Sequence, residues 1–96
     1  MPAGVSNEPI KRNTITKEQI DDLLARSKWT DGKMGEKTTV VCCQLPNGFE
    51  VIESGGCVDA ANYDHQMGVK ICKGRIVDKI WMLEGYRLQC EMAAKR

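Results

Sequence analysis

The sequence predicts an α+β domain made of an N-terminal helix, a β-hairpin and a long C-terminal helix, completed by oligomerisation. Three observations carry that reading. A capped amphipathic segment opens after residue 15, a β-branched run around a Pro-Asn-Gly turn fills the middle, and a helical pattern runs from about residue 65 to Met92. With 96 residues, one domain is expected, spanning 16–96. A domain of this size has a thin core and often gains stability by associating.

Residues 1–15 contain Pro2, Gly4, Asn7, Pro9 and Asn13, a composition expected of a flexible arm. Thr16 is the candidate N-cap of the first helix, and Gln19 completes a capping-box pattern. Ile20, Leu23, Leu24 and Ser27 share one face, and Lys17, Asp21 and Asp22 face away. The helix is expected to end near Lys28, because Thr30-Asp31-Gly32 and Gly35 break its pattern.

Thr38 to Leu45 is rich in β-branched residues and reads as a strand, and Phe49 to Glu53 reads as its return. A three-residue Pro46-Asn47-Gly48 loop pairs Leu45 with Phe49, Gln44 with Glu50 and Cys43 with Val51. That register keeps apolar partners on one face, which a two-residue turn does not. The other face holds Val40, Cys42 and Ile52, so this hairpin needs cover on both sides. Ser54-Gly55-Gly56 reads as a flexible break, and Cys57 to Asn62 as a loop. Asn62 or Asp64 caps the last helix.

In that helix Val69, Cys72, Ile76, Ile80 and Leu83 step by three or four and form one stripe. Val77, Trp81 and Leu88 form a second stripe, more than about 90° away at 100° per residue. The first stripe can pack on the N-terminal helix and the Leu45–Phe49 face of the hairpin. The second is left without a partner in the chain and is the candidate interface of a homo-oligomer, since Trp and Tyr are enriched at interface hot spots.

Fourteen basic against 13 acidic side chains give a net charge of +1 and no global attraction to nucleic acid or anionic membrane. DNA binding through the long helix is disfavoured on that ground. The first fifteen residues are too polar for export, and no run approaches the ~20 apolar residues of a membrane span. The five cysteines therefore read as small apolar side chains in a reducing setting. Cys42 and Cys43 are adjacent and point to opposite faces of a strand, and His65 is alone, so no metal site and no cofactor are expected. Cys57, in a loop, is the candidate reactive thiol.

Gly35-Glu36-Lys37-Thr38-Thr39 resembles the end of a phosphate loop, but a strand follows it where a helix is required. Asp59, Asn62, Asp64 and His65 read as turn and cap residues. Lys37, Lys70, Lys73 and Arg75 are candidates to contact phosphate, with Tyr63 or Trp81 stacking on a base. No nucleophile–base arrangement emerges, so no enzyme is expected.

Four segments in order, Gly35-Glu36-Lys37-Thr38-Thr39-Val40-Val41, Leu45-Pro46-Asn47-Gly48-Phe49-Glu50, Cys57-Val58-Asp59-Ala60-Ala61-Asn62-Tyr63-Asp64 and Ile80 through Gln89, carry a resemblance. They are similar to a family of small tailed-phage proteins. It takes its name from products of coliphage N-four (gene forty-nine) and Shigella phage Sf-six (gene sixty-six). The resemblance covers roughly residues 16–90. It departs at Ala60, where proline is expected, and at Met82, where glutamate is expected. The first change loosens the loop and the second makes the helix surface more apolar. The resemblance implies a phage or prophage origin and action in the host cytoplasm, and supplies no catalytic residues. The expected function is that of a non-enzymatic accessory protein that binds and blocks a host factor, in defence evasion. The alternative is an oligomer that sequesters a small phosphorylated ligand such as a cyclic nucleotide signal.

Overall fold

The computed structural model describes residues 13–95. The expected arm at residues 1–15 lies outside them up to residue 12, and Ile15 packs against the core. Two helices, α1 (Lys17–Ala25) and α2 (His65–Ala94), lie with an antiparallel sheet of three strands, β1 (Lys28–Met34), β2 (Thr38–Gln44) and β3 (Glu50–Gly56). The strand order is β1-β2-β3. The α+β class is as the sequence predicts. The sheet has one strand more than the predicted hairpin.

α1 begins at a complete capping box. The Thr16 hydroxyl accepts from Gln19 N at 3.2 Å, and the Gln19 side chain accepts from Thr16 N at 2.9 Å. The helix stops at Ala25, earlier than expected, and the chain passes at once into β1. Thr30-Asp31-Gly32, expected to be a break, is the middle of that strand. Its propensity is poor. Pairing with β2 along the whole length, from Lys28↔Gln44 to Met34↔Thr38, overrides it.

The β2–β3 register is the predicted one, with Cys43 opposite Val51 and Gln44 opposite Glu50. Leu45 N donates to the Phe49 carbonyl at 2.8 Å, and Gly48 closes the loop at φ +94°. Ser54-Gly55-Gly56 is ordered strand, not a break, because Gly55 and Gly56 pair with Thr39 and Thr38. Phe49, expected to share the inner face, is 55% exposed.

The core lies between one sheet face and the helices. Val41, Cys43, Leu45 and Val51 meet Ile20 of α1 and Cys72, Ile76 and Ile80 of α2. Val69 and Leu83 pack beside them, so the predicted first stripe of the long helix is the buried one. Asp64 is the N-cap, accepting from Met67 N at 3.1 Å. After Leu83 no residue of α2 joins the core, so residues 84–94 extend beyond it by about 16 Å. The outer sheet face has no helix of the described residues packed upon it, and Ile52 there is 53% exposed.

Candidate ligand-binding site

The first turns of α2 run close over the end of β2 and the Gly55–Gly56 end of β3. Between them lies a cavity of about 300 Å³, lined by Thr39, Gly55, Gly56, Asn62, Tyr63 and Arg75 among others, with Met67 and Ile71 as an apolar wall. The close approach depends on Gly68, whose missing side chain leaves room for Thr39.

The floor is built by a chain of four side chains. The Thr39 hydroxyl, fully buried, lies 2.8 Å from the Tyr63 hydroxyl. That hydroxyl is also 2.8 Å from His65 Nδ1, and His65 Nε2 is 2.9 Å from Asp31 Oδ1. With His65 Nε2 donating to Asp31, Nδ1 accepts from Tyr63, and Tyr63 accepts from Thr39. The chain ties β1, β2 and the entry of α2 together. A Tyr hydroxyl beside an Asp-supported His has the ordering of an activated nucleophile. Here the Tyr63 oxygen is spent on Thr39, so its first role is to hold the floor.

Arg75 forms one wall. Its Nη1 donates to the Ser54 carbonyl at 3.2 Å, which leaves other guanidinium donors free of that bond. Lys37 Nζ donates to the Val58 carbonyl at 2.6 Å and pins the segment before a single 3-10 turn at Ala60–Asn62. Asp59 caps that turn through Ala61 N at 2.9 Å. The acidic residues near the cavity are thus engaged at caps, as the sequence suggests. Cys57 is half-buried, and its thiol donates to the Asp59 carbonyl at 3.2 Å.

Of the phosphate-binding candidates, Tyr63 and Arg75 come together at this cavity, with Lys37 beside its entrance loop. Lys73 lies on the far side of α2, its ammonium 5.0–5.5 Å class distance over the Trp29 ring, at 5.2 Å from the centroid. Lys70 is exposed. Sequence reasoning missed two contributors. Lys33 sits 5.0 Å over the Tyr63 ring, and Asp31 holds His65. Both lie in β1, the strand that sequence propensity does not reveal.

The second stripe stands apart from this cavity. Val77 and Leu88 are half-buried and Trp81 is 38% exposed. Met82 and Tyr86 are more exposed still. Among the described residues no three His, Cys, Asp or Glu side chains are grouped to hold a metal, and no helix is long and apolar enough to cross a membrane. Burial pushes the Cys43 thiol above its ordinary pKa, although the Ser27 hydroxyl beside it works the other way.

A model of the phage protein (N4 Gp49/phage Sf6 gene 66) family matches residues 12–92. The chain belongs to this family. The matched span takes in α1, the sheet, the cavity and nearly all of α2, so the site described above lies within the N4 Gp49/Sf6 gene 66 domain. No curated protein and no solved structure matches the chain.

Proposed function

We propose that this phage protein acts by binding rather than by catalysis, and that it sequesters a small phosphorylated ligand in the host cytoplasm. The observation that carries the reading is the convergence of Arg75, Tyr63 and the glycine backbone of β3 on one cavity. A guanidinium with spare donors suits a phosphate oxygen. The Met67 and Ile71 wall suits an apolar or aromatic ring. A cavity of about 300 Å³ is at the small end of ligand sites, so one phosphorylated group fits it, and a larger ligand needs a second copy to complete the pocket.

Isothermal calorimetry against a panel of mononucleotides and cyclic nucleotides tests this. Binding of at least one ligand, weakened by Arg75→Ala, is expected. Absence of heat with every ligand refutes it.

A second reading is supported by the exposed apolar residues of α2. Trp81, Met82 and Tyr86 are large and uncovered, as a surface that blocks a host protein would be. Here Val77, Trp81 and Leu88 would engage either a host factor or another copy. Affinity capture from host lysate with wild type and Trp81→Ala separates the two: a specific partner lost with Trp81 supports this reading.

A further inference from the structure

The geometry points to the uncovered face of the sheet as a self-complementary docking surface, occupied by the same face of a second copy. This goes beyond the ligand reading and does not depend on it.

The face is ordered in rows across the three strands. Lys28, Gln44 and Glu50 form the first row, and Thr30, Cys42 and Ile52 the second. Gly32, Val40 and Ser54 form the third, and Met34, Thr38 and Gly56 the fourth. Each row carries its bulk or charge unevenly. The first has a cation on the β1 side and an anion on the β3 side, and neither makes an ion pair among the described residues. The second protrudes at Ile52, which is 53% exposed, and the fourth at Met34, which is 67% exposed.

A two-fold axis parallel to the strands and under β2 lays β1 of one copy over β3 of the other and keeps every row on itself. Lys28 then meets Glu50 of the second copy, twice. Ile52 meets the Thr30–Gly32 side, and Met34 meets Gly56. Val40 and Cys42 meet their own counterparts on the axis. Sheets packed in this way cross at about 30°, which shifts the end rows by about 5 Å, within reach of the long Lys28 and Glu50 side chains. An axis across the strands would instead set Lys28 against Met34 and Glu50 against Gly56, leaving both charges without partners. The charges therefore choose the first arrangement.

Gly32 supports the same reading. A Cβ there would meet nothing within 4 Å, and its φ lies outside the left-handed region, so the chain itself does not require glycine. Its missing side chain opens a groove of about 260 Å³ beside Val40 and Cys42. The groove faces Ile52 of the second copy. Three strands of seven residues cover about 14 by 23 Å, small against the ~800 Å² per partner of a standard interface. The dimer is therefore expected to dissociate at micromolar concentrations.

Sedimentation equilibrium of the full chain, with cysteine cross-linking, tests the proposal. The average mass should rise from 10.7 kDa toward twice that value with concentration. Lys28→Glu should weaken association about tenfold, and Lys28→Glu with Glu50→Lys should restore it. Mild oxidation should link Cys42 to Cys42. Gly32→Gln, which the fold accommodates, should also weaken association. Circular dichroism verifies that each variant is folded. A double charge swap no better than the single one overturns the proposal. So does a Cys42–Cys90 link, which would place the projecting end of α2 on this face, or a concentration-independent monomer.

Discussion

Gly68 of α2 lies so close to Thr39 of β2 that a Cβ at position 68 would stand 2.3 Å from Thr39 Oγ1 and 2.9 Å from Thr39 Cβ. This single approach sets the height of the helix over the sheet. It seals Thr39 from solvent and lets Tyr63 reach its hydroxyl. A glycine that weakens a helix on propensity grounds is here what permits the packing.

Gly68→Ala should therefore destabilise the protein. Alanine gains about 1 kcal/mol of helix propensity, but overpacking against a strand atom costs about 1–3 kcal/mol. The net loss is expected near 1 kcal/mol. Gly74 and Gly85 have open space around a Cβ, so alanine there should stabilise by up to about 1 kcal/mol. Urea midpoints of the three variants check the opposite signs.

Tyr63→Phe removes the hydroxyl that joins Thr39 to His65. It leaves a buried Thr hydroxyl short of a partner, which costs about 1–3 kcal/mol. The same substitution should leave the rings and their packing in place. Urea unfolding measures the loss, and an unchanged midpoint would show that the chain of bonds holds nothing.

Arg75 and Lys79 shield the outer edge of β3. Lys79 donates to the Ile52 carbonyl at 3.3 Å, as Arg75 does to Ser54, and Lys79 also pairs with Glu53. Covering an edge with cations is a means of preventing strand addition. Arg75→Ala with Lys79→Ala should speed aggregation, followed by light scattering, and most strongly at neutral pH where Glu53 is left charged without its partner.

Cys43 makes stability depend on alkaline pH. Burial raises its pKa in the folded state, so the folded chain holds that proton after the unfolded chain has released it. The contribution is complete below the unfolded thiol value near 8.5 and is lost as pH rises from there through the folded value, by up to about 1.4 kcal/mol per pH unit. Cys43→Val should flatten the fall in stability between roughly pH 8.5 and 10, measured by denaturant unfolding.

The sequence by itself determined the elements whose signals are local. Thr16 and Gln19 fixed the start of α1, because a capping box involves residues three apart. Pro46-Asn47-Gly48 fixed the β2–β3 register, and the three-and-four spacing from Val69 to Leu83 fixed the buried face of α2. The tertiary structure alone decided β1. Its Asp31 and Gly32 read as a break, and only pairing with β2 makes them strand. It also decided the cavity, since Asp31 and His65 are 34 residues apart, as are no pair of residues that a local pattern can join. For the same reason the candidate cations separate. Arg75 and Lys73 are neighbours in sequence, but the helix turns one toward Ser54 and the other toward Trp29.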